Sequence, residues 1–240
     1  MEIMWSSGGR CVYATLQSRR IERLQGEETG GAARRKQLPC ASGRRYRAVV
    51  IGSEQPLLFL DVDGPLIPFG ATREQLPDGY PTYESGHTPR EPDANPLIPR
   101  INPAHGPRLL ALPCDLVWAT TWMSDANDCI APWLGLPELP LVSWPESAGS
   151  AGSADEDARY GLHWKTRPLL GWAAGRPFAW VDDEITDTDE AWVEAHHSGP
   201  ALLCRVDPRR GITDEDYATL GSWLRTRRGA GARRAPRPRR

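Results

Sequence analysis

Pro56-Leu57-Leu58-Phe59-Leu60-Asp61-Val62-Asp63-Gly64 is the stretch on which the reading of this chain turns. Four consecutive apolar residues that stop at a carboxylate show neither a helical stripe nor an alternation. That pattern belongs to a short strand buried on both faces, as in a parallel sheet. Asp61 and Asp63 lie two residues apart, so on an extended chain both side chains reach the same side. Gly64 then permits a sharp turn away from the strand end.

The same kind of run recurs downstream. Asp115-Leu116-Val117-Trp118-Ala119 ends at Thr120-Thr121, and Pro177-Phe178-Ala179-Trp180-Val181 ends at Asp182-Asp183. A fourth strand is expected at Ala201–Val206 and a short one at Leu141–Trp144. Helical patterns fall between them at Pro107–Leu112, Ser124–Leu134, Thr166–Ala174 with a stop at Gly175, Asp187–His196 and Asp214–Arg225. Thr186 and Thr213 each stand before an acidic first turn, as N-caps do. Strands alternating with helices predict an α/β domain, a Rossmann-like parallel sheet flanked by helices. Residues 65–104, rich in Pro and Gly, read as a long loop or hairpin flap, too short for a large helical cap. The 122–160 interval leaves little room for a second cap, and Ser147–Asp157 reads as a flexible linker or loop tip.

The chain has 240 residues, room for one well-buried core or for one domain with tails. No stretch approaches the ~18 apolar residues of a membrane span. The first residues, Met1-Glu2-Ile3-Met4-Trp5, lack the pattern of a signal peptide, so a cytoplasmic globular protein is expected. Five cysteines, widely spaced and without Cys-x-x-Cys, exclude a disulfide scaffold and a zinc knuckle as organising principles. The net charge of −2 conceals a segregation: residues 1–55 sum to +5, residues 225–240 to +8, and 56–224 to −15. The reading is a basic, mostly disordered extension over 1–55, a domain over 56–226, and an Arg/Pro-rich disordered tail over 227–240. Basic ends of this kind can neutralise nucleic-acid phosphates, although a solvated Arg-rich end is the plainer explanation. No membrane partner is expected, and the oligomeric state is open.

In an open α/β sheet the carboxyl ends of parallel strands line the ligand crevice. If the first three strands are neighbours, four carboxylates and a hydroxyl converge there. Carboxylates so close repel one another, which favours a bound cation. Oxygen-rich ligation selects a hard ion, with Mg²⁺ the usual one beside phosphate. The chain carries 27 Arg but two Lys, and Lys165 is the one lysine between the basic ends. A compact ammonium among carboxylates and phosphoryl oxygens is a place where Arg does not substitute.

Asp61-Val62-Asp63-Gly64, Thr120, Lys165 and Asp182-Asp183, in that order and each beside an apolar strand or a helix start, resemble the four motifs of the haloacid dehalogenase (HAD) superfamily. The match runs from about Pro56 to Leu224. Trp118–Trp122 and His163–Glu184 resemble, more narrowly, small HAD domains of uncharacterised bacterial proteins and RNA-repair fusions. The resemblance implies a Mg²⁺-dependent phosphatase with a minimal cap or flap. Asp61 is then the nucleophile that forms an aspartyl-phosphate, and Asp63 the general acid and base. Thr120 would bind a phosphoryl oxygen, and Lys165 would neutralise charge on nucleophile and substrate. Asp61, the Asp63 carbonyl and Asp182, helped by Asp183, would hold the metal. Pro65 stands where many members carry Thr. Thr121 competes with Thr120, and Asp183 with Asp182. A lightly capped site suits a bulky phosphorylated substrate such as a nucleic-acid end. A phosphotransferase and a non-catalytic binding module of the same fold are the alternatives.

Other motifs fail. An EF-hand needs a third ligand before its Gly and a closing Glu, both missing around Gly64. Neither a dinucleotide fingerprint, a P-loop nor a Gly-x-Ser-x-Gly elbow occurs. His196-His197 reads as a solvated helix end, since adjacent helical residues point about 100° apart. Trp118 and Trp180 belong to buried strands, and the other tryptophans of the body are expected in the core. His163, two residues before Lys165, carries no assignment.

Overall fold

The computed structural model describes residues 55–85, 95–144, 157 and 159–231. The basic extension, apart from Gln55, and the tail beyond Gly231 lie outside the described residues, as does most of Ser147–Asp157. Four strands form the sheet: β1 (Leu57–Leu60), β2 (Asp115–Trp118), β3 (Phe178–Asp182) and β4 (Ala201–Arg205). All neighbours are parallel, in the order β2-β1-β3-β4. The helices are α1 (His105–Leu110), α2 (Ala131–Leu134), α3 (Thr166–Ala173), α4 (Asp187–His196) and α5 (Asp214–Gly231).

The buried runs explain the layering. Leu58 and Leu60 of β1 point into one core with Leu109 of α1, Trp133 and Leu134 of α2, and Tyr217, Leu220 and Leu224 of α5. Leu57 and Phe59 point into the other, with Leu169 and Ala173 of α3 and Val193 of α4. Both faces of β1 are covered, so its side chains alternate between two apolar layers and none needs to be polar. The chain moves outward from β1 to β2, then crosses back to β3 on the other side. The order therefore reverses between β1 and β3, and a switch point of this kind opens a crevice at the carboxyl ends of those strands.

Most expected elements are present, with instructive exceptions. Leu141–Trp144 is reduced to one bridge, between Leu141 and Trp118. Pro140 and Pro145 enclose the segment and cannot donate to a ladder, so pairing stops there. The helical stretch after β2 contains a widened π turn, Ala126–Ile130, ahead of α2. Pro132 has no N–H to donate to the preceding turn. Asn127 in that turn accepts from Trp118 Nε1 and Leu139 N (both 2.9 Å) and donates to the Leu139 carbonyl at 2.8 Å. Among the described residues of 65–104, regular structure amounts to one 3₁₀ turn, Ile98–Arg100, and a bridge from Asp63 to Ile67. The described part is anchored in the core by Leu66, Ile67, Ile98 and Ile101, and residues 86–94 lie outside the described residues. Helix α5 continues to Gly231 rather than stopping at Arg225, which overruns the start of the expected disordered tail. No proline breaks the chain before Pro236, and the basic last turns suit the helix dipole. Among the described residues no helix is long and apolar enough to cross a membrane.

Candidate active site

The sheet edge gathers the acids. Asp61 follows β1 and is held by its backbone N–H to the Val181 carbonyl (3.1 Å) on β3. Asp182 ends β3, wholly buried, and Asp183 follows it. Lys165, at the N-terminus of α3, reaches between them. Its Nζ donates to Asp61 Oδ2 at 2.7 Å and to Asp182 Oδ2 at 2.8 Å. An ammonium has three donors and no acceptor, so the two carboxylates take two of its three N–H groups. Carboxylate oxygens of Asp61, Asp182 and Asp183 lie within 4.8 Å of one another.

One ammonium cannot neutralise this set. Burial works against the charge on Asp182, but Lys165, His163 and the Glu184 N–H hold its carboxyl below the usual carboxylate range. Burial likewise opposes the Lys165 charge, and Asp61 and Asp182 more than restore it, holding its pKa well above the ordinary lysine value. Asp61 is pushed up to about 7 by burial, opposed by Lys165 and reinforced by Asp182 and Asp63. Asp183, with Asp182, Asp61 and Glu184 around it, is pushed up to about 8, again chiefly by burial. Burial first, and then the neighbouring acids, make these two carboxylates resist ionisation, and a cation held by them would favour their charged forms. Gly64 completes the cradle: its φ is +83°, and a Cβ there would overlap Asp183 Oδ1. The donor set, oxygen only and anionic, fits a hard divalent cation.

Asp63 and Thr120 flank this centre. Asp63 is fixed through its backbone by the Val62–Ile67 turn, with Gly64 N donating to the Ile67 carbonyl at 3.1 Å. Its carboxylate accepts from the indole of Trp122, Nε1 to Oδ2, at 3.0 Å. Burial raises the Asp63 pKa, and the Trp122 hydrogen bond and Lys165 partly counter it. Thr120 is buried at the end of β2, one strand from β1, whereas Thr121 is exposed. The Thr120 hydroxyl accepts from Trp122 N at 3.3 Å, and its carbonyl accepts from Trp144 Nε1 at 3.0 Å.

A supporting shell surrounds Lys165. His163 Nδ1 accepts from Lys165 N at 3.1 Å, which leaves the ring proton on Nε2, 3.1 Å from Glu184 Oε2. His163, Asp182 and Glu184 also approach within metal-ligand spacing. With both His163 ring nitrogens engaged, that group is a clamp. Asp189 at the third position of α4 is fully buried. It accepts from His163 N (2.8 Å) and Thr166 Oγ1 (2.6 Å) on one oxygen, and from Thr186 N (2.8 Å) and Oγ1 (2.7 Å) on the other. Asp189 thus closes the capping box of α4 and pins the loop that carries Lys165.

Sequence reasoning reached neither Trp122 nor Asp189. The Thr186-x-x-Asp189 spacing is a capping-box signal, but nothing in it points to residue 163. The indole that meets Asp63 lies 59 positions away in sequence, and no local pattern joins them. His196 and His197 bond to the carbonyls of Trp192 and Arg176, away from every metal-competent group among the described residues. Of the tryptophans outside the strands, Trp122 and Trp133 are buried, while Trp144, Trp164, Trp172, Trp192 and Trp223 are half-buried.

Neither a curated protein nor a solved structure matches the chain. A family model does, over residues 57–217, from the start of β1 into α5 and across every residue of the site. The parallel sheet, the acidic strand ends and this match agree: the chain belongs to the HAD superfamily, in the family described as the HAD domain in Swiss Army Knife RNA repair proteins.

Proposed function

We propose that the protein is a Mg²⁺-dependent phosphomonoester hydrolase that works through an aspartyl-phosphate on Asp61. The observation that carries this reading is the charge balance at the β1/β3 edge. Lys165 is bonded to Asp61 and Asp182, and among the described residues no cationic side chain forms an ion pair with Asp183, which lies against Asp61. Asp182 already accepts three hydrogen bonds, from Lys165, Trp180 and Glu184. Asp183 is therefore the stronger direct ligand, with Asp61 and the Asp63 carbonyl, and Asp182 supports through Lys165. Mg²⁺, when bound, neutralises the acids and lowers the repulsion between an anionic nucleophile and an anionic phosphoryl group.

The chain's own groups divide the remaining work. Lys165 and Val62 N, each on one oxygen of Asp61, fix the carboxylate plane for attack on phosphorus. Asp63 protonates the leaving oxygen and then takes a proton from the hydrolytic water. Thr120, buried at the strand end where Thr121 is exposed, offers its hydroxyl to a phosphoryl oxygen.

The substrate proposed is the phosphorylated end of a nucleic acid. Among the described residues no helical cap covers the strand ends, which suits a bulky substrate. The family description points to RNA repair, and the +5 and +8 termini are suited to backbone phosphates. The test is hydrolysis of 4-nitrophenyl phosphate with and without Mg²⁺, for wild type and Asp61→Asn, followed by 5′- and 3′-phosphorylated oligonucleotides. Mg²⁺-dependent turnover lost in Asp61→Asn is the expected result. Turnover that survives in Asp61→Asn excludes the aspartyl-phosphate.

A further inference from the structure

Resting on the hydrolase reading above, we infer that Trp122 is a positioning residue that orients the Asp63 carboxyl and favours Oδ1 as the oxygen that carries the catalytic proton.

Three observations combine. First, the Trp122 indole is 6% exposed and belongs to the core packed against the sheet, so its direction is set by apolar neighbours rather than by solvent. Secondly, its Nε1–H meets Asp63 Oδ2 at 3.0 Å. An indole N–H donates and never accepts, and the carbonyl oxygen of a neutral carboxyl is a better acceptor than its hydroxyl oxygen. The hydrogen bond therefore favours the proton of a neutral Asp63 on Oδ1. Thirdly, the backbone is bent to bring the indole there. Trp122 N donates to Thr120 Oγ1 at 3.3 Å, and the next residue, Met123, takes φ +49°, a left-handed conformation that a non-glycine residue adopts at a cost. Thr120, two residues beyond β2, is thus tied to the residue that orients Asp63.

The consequence is one proton-handling atom for both half-reactions. In the first, an Asp61 oxygen forms a bond to phosphorus as the bond to the leaving oxygen breaks, and that oxygen takes the proton from Asp63 Oδ1. In the second, Asp63 Oδ1 takes a proton from water, whose oxygen bonds to phosphorus as the Asp61–phosphorus bond breaks. Asp61 is restored and inorganic phosphate leaves. A partner able to accept as well as donate would allow the proton to sit on Oδ2, facing residue 122.

The test compares leaving groups. A 4-nitrophenolate departs with little help from an acid, whereas an alkoxide needs the proton. We would measure kcat/KM, which reports the step that forms the aspartyl-phosphate, for 4-nitrophenyl phosphate and an alkyl phosphate monoester. Enzymes are wild type, Trp122→Phe, Asp63→Asn and the double variant. Trp122→Phe should lose roughly tenfold or more with the alkyl ester while staying within about threefold with the aryl ester, against the 10²–10⁴-fold typical of general acid catalysis. The double variant should be no slower than Asp63→Asn, because Trp122 acts through Asp63. Equal losses on both esters, or additive losses in the double variant, overturn the inference and leave Trp122 a packing residue. Should the Phe variant not fold, Trp122→His puts a ring there that accepts as well as donates, and should lose the alkyl ester preferentially as Trp122→Phe does. A wild-type ratio there counts against the inference. A wild type inactive on both esters removes the hydrolase reading and this inference together, whereas active wild type without leaving-group discrimination in Trp122→Phe removes this inference alone.

Discussion

The carboxylate of Asp183 occupies the space into which a side chain on Gly64 would project. The two residues come from adjacent strand ends, and the glycine's φ of +83° turns the chain so that they fit. Gly64→Ala meets two obstacles, the left-handed backbone and the Asp183 oxygen. It should destabilise the protein by about 2 kcal/mol or more. It should also displace Asp183 and abolish Mg²⁺ binding. Urea unfolding and titration calorimetry with Mg²⁺ read these effects separately.

The pH dependence of stability follows from Asp183. Its pKa rises on folding from 3.8 to about 8, so folding favours the neutral form. That contribution is complete below about pH 4 and is lost as pH climbs to about 8. Asp61, raised to about 7 by burial, acts in the same direction. Metal-free protein should therefore lose thermal stability across this window. Mg²⁺, which favours the ionised acids, should raise the melting temperature strongly at pH 8 and little at pH 5. A Mg²⁺ effect that does not change with pH contradicts this account.

Lys165 should not be exchangeable for arginine. Its side chain is 3% exposed and bonded to two carboxylates, a space shaped for a compact ammonium rather than a planar fork. Lys165→Arg should lower kcat by about 10² or more. Lys165→Met leaves two buried acids unpaired, at a cost of about 3–5 kcal/mol near pH 8, with less at pH 5 because the acids then take up protons. Steady-state kinetics and denaturation at the two pH values check both variants.

Asp189 offers a different kind of test, because it acts behind Lys165, through His163 N and Thr166 Oγ1. Replacement by Asn presents an amide group to donors that now meet an anion, and should cost about 2–4 kcal/mol. Thr186→Ala removes the cap hydroxyl and should cost about 1 kcal/mol. Asn at 189 should also lower kcat, since the loop bearing Lys165 loses its tether, whereas Ala at 186 should leave kcat within about threefold. Denaturation and turnover measured on the same preparations separate the two.

The legible part of this protein was whatever is written within a few residues. Apolar runs ending in acids announced β1 and β3, and their order brought Asp61, Lys165 and Asp182 together as expected. The cap at Thr186 and the span Asp187–His196 were equally local. Less legible were features that depend on partners far along the chain. Leu141–Trp144 has strand composition, yet its flanking prolines limit it to a single bridge. The π turn answers to Asn127 reaching Leu139 and Trp118. The choice between Asp182 and Asp183 depends on where Lys165 arrives, which no spacing rule specifies.

None of the named site residues comes from between Ile67 and Ile98, a segment whose described part is fastened by Tyr83 against the core, Phe69 N on the Pro208 carbonyl and Ser85 Oγ on the Trp133 carbonyl. Its composition is therefore decoupled from the chemistry. Between those anchors, loops of different length and charge can be grafted while the strand ends, Lys165 and the clamp on α4 stay in register. The segment can thus vary without rebuilding the machinery beneath it.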